Sequence, residues 1–343
     1  MNRILLSILL CLFSCVCSAN VRVLSIGVSE YPETSGWNKL NAHNDVELMR
    51  SIFPNTILLE NASATRSGIE VQLKALANNV AKGDTVIIHF SGHGQQIITT
   101  NSTDEIDGVD EAIVPYDAAK RKMSLYEGQN HLTDDTFGKA IDNIRKSVGP
   151  SGLVIAMIDA CHSDSMDKGT ENNGEIYRGT DEIFGSENMT GAEISKLKET
   201  YHNQEESSLN ESPDMSDIIY MSACKSDQRN YEVIVDDIGY GSLTYYFVEA
   251  YKEKGLDNLN EFLSAIYSGM KSDKILQFHG QIPAIRNTIG WGRTPNIIPS
   301  IPEVRPISDT PKSYLTQTFM VSLIAVALII IFIAICIMRM KKK

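Results

Sequence analysis

Two runs in this chain are apolar at almost every position, "TVIIHF" at 85–90 and "GLVIAMIDA" at 152–160. Successive side chains of a strand point to opposite faces, so a strand that is apolar throughout has no face to offer water. Such strands belong in a sheet covered by helices on both sides, and the connections that allow this are mostly parallel crossovers. The chain keeps this rhythm elsewhere. Its patterning predicts strands at 21–28, 56–60, 111–116 and 217–223, and amphipathic helices at 44–53, 69–81, 132–147, 242–255 and 259–273. The expected class is α/β with a central, mostly parallel sheet. One long segment breaks the alternation: residues 163–216 are acidic and polar, which in a compact domain marks a functional or unstructured loop.

The two ends read differently from the body. Residues 4–17, "ILLSILLCLFSCVC", follow Arg3 and precede Ser18, Ala19 and Asn20. That order of charge, apolar run and small residues predicts a signal peptide over 1–19; the alternative, an N-terminal anchor, would have a short span. At the other end, "FMVSLIAVALIIIFIAICIM" at 319–338 is twenty residues without a charge. A transmembrane helix is expected over 318–338, a proline-rich stalk over 293–317 before it, and a basic cytoplasmic tail over 339–343 after it. Positive residues favour the cytoplasmic side, so the body, 20–292, is expected on the extracytoplasmic side as part of a single-pass membrane protein. Of six cysteines, four lie in these end segments, leaving Cys161 and Cys224 in the body, too few for a disulfide-stapled fold. The net charge of −12 argues against nucleic acid as a partner and permits a cationic substrate or a bound cation. The body is expected to be a monomer.

Both apolar strands end on reactive residues. "SGHG" at 91–94 follows the first and "DACHS" at 159–163 follows the second. In open parallel sheets, reactive groups gather beyond the carboxyl ends of the strands. His93 is positioned there to act as general base and then general acid, and Cys161 as nucleophile. The backbone N–H groups of Gly94 and Cys161 are candidates for an oxyanion hole. Gly92 and Gly94 are expected to let the chain turn sharply off the strand and to admit close approach of a substrate. His89, inside its strand, is read as a core residue.

The stretches "NDV" (44–46), "SGHGQQ" (91–96), "DGVDEAIVPYD" (107–117), "LTDD" (132–135), "DACHSD" (159–164), "MSACKSDQ" (221–228), "YGSLTYYFVEA" (240–250) and "GQIPAI" (280–285) run in one order over about residues 20–290. In this the chain resembles the metacaspase branch of the caspase-like cysteine peptidases. The resemblance implies a caspase α/β/α sandwich and a catalytic dyad of His93 and Cys161. It also implies cleavage of peptide or protein substrates after Arg or Lys. Asp45, Ser91 and Asp159 match the pocket that holds the basic side chain, and Asp227 is a further pocket candidate. Ala42 stands where many members carry a cysteine. Many members need calcium, and Asp110, Asp134, Asp135 and Asp167 correspond to its ligands; the chemistry itself requires no cofactor. Residues 163–216 occupy the place of the linker between large and small halves, where self-cleavage after Arg178, Lys196 or Lys198 is expected. The alternatives are a legumain-like cysteine peptidase preferring Asn or Asp, and a catalytically silent binding protein of the same fold. A thiol redox protein using Cys161 and Cys224 is disfavoured by the absence of a C-x-x-C motif.

Overall fold

A computed structural model describes residues 20–98, 108–161, 175–202, 209–226 and 228–289. A six-stranded sheet runs through the centre in the order β11-β8-β7-β3-β1-β2. Its members are β1 (Val21–Gly27), β2 (Ile57–Glu60), β3 (Thr85–Ser91), β7 (Leu153–Asp159), β8 (Asp217–Ser222) and β11 (Ala284–Asn287). Every pairing is parallel except that of β11 on the edge. The two all-apolar runs, β3 and β7, are neighbours and are buried at all seven positions each.

The alternation of side chains splits the core in two. Val86, Ile88 and Phe90 of β3, with Val154, Ala156 and Ile158 of β7, face one layer. That layer is α2 (Arg66–Asn79) and α3 (Asp134–Val148), through Ile69, Leu73, Phe137 and Ile141. Ile87 of β3, with Leu153, Ile155 and Met157 of β7, faces the other. There α1 (Ala42–Ile52), α5 (Ser242–Lys254) and α6 (Leu259–Ser272) contribute Met49, Phe247, Phe262 and Ile266. Each such buried side chain contributes about 1.5–3 kcal/mol, so the sheet fixes the frame on which the loops are mounted. The helices start where chemistry lets them. Thr65 and Thr133 accept hydrogen bonds from Gly68 N–H and Thr136 N–H, and Asp134 and Asp135 favour the positive end of α3.

Several small elements lie outside the sequence expectation. β4 (Gly94–Ile98), β5 (Val109–Ile113) and β6 (Leu132–Thr133) form a separate antiparallel sheet, and β9 (Glu232–Val235) and β10 (Ile238–Gly241) form a hairpin. The strand expected at 111–116 therefore sits two to three residues earlier, because Pro115 cannot donate to a ladder. The polar segment 163–216 is not simply an open loop. It contains helix α4 (Gly191–His202), and Arg178, Ile183 and Phe184 are buried. A short helix α7 (Lys274–Phe278) precedes the edge strand. Among the described residues, no helix is long and apolar enough to cross a membrane. The expected signal peptide at 1–19, the stalk at 293–317, the span at 318–338 and the tail at 339–343 lie outside the described residues.

Candidate active site

The pairing of β3 with β7 puts Ser91 opposite Asp159. His93 and Cys161 each follow two residues later, so both leave the same edge of the sheet. Gly92 N–H donates to Asp159 O at 3.3 Å across the gap. Neither Gly92 nor Gly94 has a positive φ, so the expected sharp glycine turn is not how the chain leaves β3. Gly92 answers to space instead: a Cβ there would stand 2.8 Å from Phe90 Cζ and 3.1 Å from the Tyr31 hydroxyl.

His93 is held from three sides. Its Nε2 donates to Asn38 O at 2.9 Å, and its ring stacks on Trp37 with centroids 4.7 Å apart. The Tyr31 hydroxyl accepts from His93 N–H and donates to Val114 O, both at 3.0 Å. With Nε2 committed as donor, Nδ1 carries the lone pair, and it has no hydrogen-bond partner among the described residues. Burial lowers the imidazole pKa to about 3. The ring is therefore neutral at physiological pH, with the Nδ1 lone pair available. Cys161 is fully buried, and its thiol donates to Gln228 O at 3.2 Å. The neighbouring strand β8 brings Cys224 beside it, both residues being reduced. Contact with Cys161, and then burial, hold the Cys224 thiol well above its ordinary range.

The residue that organises this edge is Arg178, from the polar segment. Its side chain is completely buried. Nη1 lies 2.8 Å from Asp45 Oδ2, donates to the Ser91 hydroxyl at 2.7 Å and stands 3.7 Å from Asp159 Oδ1. Nη2 donates to Glu232 Oε1 at 2.9 Å. Three carboxylates around one guanidinium leave negative charge in excess. Burial, with a push from Asp159 and against the pull of Arg178, raises the Asp45 pKa to about 6. The carboxylates are themselves held. Asp159 Oδ2 accepts from Thr244 N–H and Oγ1, both at 2.7 Å, and Oδ1 accepts from Asn230 Nδ2 at 2.8 Å. Asp45 Oδ1 accepts from Gly241 N–H at 2.8 Å. Both acids thus sit at the N-terminus of α5, where unpaired N–H groups and the helix dipole favour negative charge.

The backbone of Arg178 is as closely held as its side chain. Its carbonyl oxygen accepts from Cys161 N–H at 2.9 Å and from Gly94 N–H at 3.3 Å. Its own N–H donates to Asn230 O at 2.9 Å, and Glu232 N–H donates to Ile176 O at 2.9 Å, so residues 176–178 lie as an antiparallel strand along 230–232. Gly179 follows directly against Cys161: a Cβ on it would stand 2.7 Å from Cys161 O and 3.1 Å from Cys161 Cβ. The Arg178–Gly179 peptide bond therefore lies in the cleft, with its carbonyl oxygen on two N–H donors and the thiol and imidazole segments flanking it.

His93, Cys161, Gly94, Asp45, Ser91 and Asp159 are thus brought together as one site. Asp227 and Asp167 lie outside the described residues. Asp110 precedes the β5–β6 pairing by two residues and Asp135 follows it by two, with Asp134 beside them. Asp135 is engaged by Lys139 at 3.2 Å, and Asp134 Oδ1 accepts from Asp135 N–H. Among the described residues no group of three or more histidine, cysteine, aspartate or glutamate side chains is arranged to hold a metal ion, and Asp167 lies outside those residues. Glu232, Asn230 and Trp37 belong to the site and carry no motif signal. Glu232 falls in the short stretch "YEVIV", whose apolar run at 233–235 gives no sign of a buried acid beside it.

Comparison with known proteins agrees with this architecture. The caspase-domain family matches residues 21–289. The chain is 21% identical over 295 residues to Metacaspase-1 of Meyerozyma guilliermondii, covering 74% of this chain and 68% of that protein. It is 30% identical over 126 residues to Metacaspase-4 of Arabidopsis thaliana, covering 35% and 26% respectively. It is 27% identical over 222 residues to Metacaspase-1 of Schizosaccharomyces pombe, covering 58% and 49%. The matches thus span from about a quarter to about two thirds of these relatives' length. The crystal structure of a Geobacter sulfurreducens protein is similar in fold, with a TM-score of 0.53 at 22% identity, over 78% of this chain and 93% of that one.

Proposed function

The chain belongs to the caspase-domain family of cysteine-type endopeptidases, and from that premise we propose that Cys161 and His93 are its dyad, that it cleaves after Arg or Lys, and that the first bond it cuts is its own Arg178–Gly179. The observation that carries this reading is the placement of Arg178, with its guanidinium among Asp45, Asp159 and Glu232 and its carbonyl oxygen on Cys161 N–H and Gly94 N–H. Those two N–H groups would hold the oxyanion as charge develops on it. The Cys161 thiol gives its proton to His93 Nδ1, the thiolate adds to the Arg178 carbonyl carbon, and the electron pair moves onto oxygen. His93 then returns the proton to the Gly179 nitrogen, the C–N bond breaks, and a thioester to Arg178 remains. Water, deprotonated by the same Nδ1, hydrolyses it. The Asn38 carbonyl stabilises the imidazolium that forms between these steps.

Lys196 and Lys198 lie within helix α4, whose backbone is already hydrogen-bonded internally, so they are poorer cleavage points than the extended Arg178. The acidic pocket also favours a cationic residue over the Asn or Asp of the legumain-like alternative. Mass spectrometry of the purified protein tests the reading. Wild type is expected to give fragments divided between Arg178 and Gly179, and Cys161→Ala to remain whole. The same fragments from both proteins would refute it. The further expectations are membrane attachment through 318–338 with the body outside the cytoplasm, and a calcium requirement involving Asp110, Asp134, Asp135 and Asp167. Protease accessibility of sealed vesicles tests the first, and peptide hydrolysis with and without a chelator tests the second.

A further inference from the structure

The segment before Arg178 lies in the cleft as a substrate would, and it makes side-chain contacts as well as backbone ones. Along a strand, alternate residues share a face, so Tyr177 and Glu175 project together, opposite Arg178 and Ile176. The Tyr177 ring lies near the Arg229 guanidinium, 5.1 Å from its centroid, and the Tyr231 ring, 6.1 Å away, and its hydroxyl donates to Asp181 Oδ1 at 3.4 Å. Tyr231 in turn stacks on His279 with centroids 3.8 Å apart and planes at 14°. That stacking orients the imidazole, whose Nε2 lies 2.9 Å from Glu175 Oε2. The platform is built on the enzyme side. Tyr231 N–H donates to Gln281 Oε1 at 2.9 Å, and the two N–H groups of Gln281 Nε2 are shared among Ala223 O, Asn230 Oδ1 and the Ser242 hydroxyl, each within 3.0 Å. A cut after Arg178 leaves residues 229–231 and 279–281 in place.

We propose that this platform selects substrates at two further positions: an aromatic side chain second before the cleaved bond, received by Arg229 and Tyr231, and a carboxylate fourth before it, received by His279. The preferred substrate is then an extended peptide of the form acid, any residue, aromatic, arginine, of which 175–178 is the built-in example. This rests on the reading that Arg178 stands where a substrate's arginine binds. The backbone hydrogen bonds provide register and affinity for any extended chain, and the alternate side chains provide choice.

The test uses the full-length protein after self-cleavage and fluorogenic tetrapeptide amides. The parent is acetyl-Glu-Ile-Tyr-Arg; the others carry Gln for Glu, Ala for Tyr, Phe for Tyr, or Asn for Arg. Loss of the ring is expected to lower kcat/KM about fivefold, from one aromatic pair and one cation–π contact, with Phe close to Tyr. Glu to Gln is expected to lower it about threefold, as for one partly exposed hydrogen bond to a carboxylate. In the His279→Gln enzyme the ratio between the Glu and Gln peptides should fall to one, a ratio that does not depend on how much of the variant folds. Equal hydrolysis of all four Arg peptides, with the Asn peptide uncut, would overturn the two subsites and leave Arg cleavage standing. Hydrolysis of the Asn peptide in preference, or of none, would overturn both.

Discussion

Arg178 offers two terminal nitrogens to the pocket, and they go to different acids. Nη1 meets Asp45 and Ser91, and Nη2 meets Glu232. A lysine ammonium is a single point of charge and cannot reach both. Glu232 is held ready for this role: its Oε1 accepts from Asn41 N–H at 3.0 Å and its Oε2 from Asn41 Nδ2 at 2.5 Å. Glu232→Gln is therefore expected to reduce kcat/KM for Arg peptides more than for Lys peptides. The shift in the Arg-to-Lys ratio should be about tenfold, the size of one hydrogen bond to a charged group. Parallel assays of matched peptides read it directly, and an unchanged ratio would deny Glu232 this role. Asp45 and Asp159 could be picked out beforehand because they sit in motifs next to a helix start and a strand end. Glu232 could not, because what makes it a pocket residue is the approach of a segment 54 positions away. His89 shows the converse. It reads as core and is core, yet it links Ser25 to Thr244, at 2.8 and 2.9 Å, and Thr244 holds Asp159. Burial lowers its pKa to about 4, so it stays neutral and its Nε2 can donate to the Thr244 hydroxyl.

At the scale of elements, the start of α5 is the device that shapes the pocket floor. Gly241 precedes the helix with φ −61°, a conformation any residue can adopt, so the glycine is there for room and not for backbone freedom. A Cβ on it would stand 2.3 Å from Asp159 Oδ2 and 2.6 Å from Arg178 Nη1. Gly241→Ala should fold, since its backbone is compatible, yet displace the carboxylate or the guanidinium by the order of an ångström. A misplacement of that size costs about a hundredfold in rate. The expected result is loss of Arg178–Gly179 cleavage and of Arg-peptide hydrolysis in a protein that still folds but is less stable by about 1–3 kcal/mol, the cost of overpacking a buried site. Full activity would show that the pocket has slack not apparent in its geometry. The elements that carry the site were legible in outline: continuous apolar runs for β3 and β7, 3.6-residue periodicity for the helices. The short elements were not. β4 and the β9–β10 hairpin are too brief and too polar for period to register, and β11 is an edge strand set by its antiparallel pairing to β8. In 163–216, overall polarity concealed "IF" at 183–184, two buried side chains that anchor the segment after Arg178 to β4 through Phe184 N–H to Gln96 O and Ile98 N–H to Phe184 O.

At the scale of the whole domain, the uncut chain crosses its own cleft, bound on one side to 230–232 and on the other to β4, with buried charge and buried neutral histidines at the centre. That arrangement fixes how stability must depend on pH. Burial lowers His93 to about 3, and His89 and His131 each to about 4, from 6.5. Below pH 6.5 the unfolded chain takes up these three protons while the folded chain refuses them. The unfolded state then binds more protons, and stability falls as pH falls. Asp45 acts in the opposite sense: raised to about 6 from 3.8, it is protonated in the folded state before the unfolded one and offsets one of the three. His43, raised by Glu60, is charged in both states near pH 5 and drops out. From these groups the balance is two protons, or about 2–3 kcal/mol of stability per pH unit near pH 5. The carboxylates held below their ordinary range, Glu182, Glu187, Glu193 and Asp214, add to it in the same direction as pH falls further. Urea denaturation of full-length Cys161→Ala, which the proposed self-cleavage would leave whole, should follow this slope between pH 6 and pH 4.5. Adding His93→Phe, which keeps a flat ring against Trp37 but cannot take a proton, should reduce the slope by about one proton, or about 1.4 kcal/mol per pH unit. A stability that is flat or rising toward pH 5 would mean that the histidines are charged in the folded chain, and a charged His93 could not take the thiol proton.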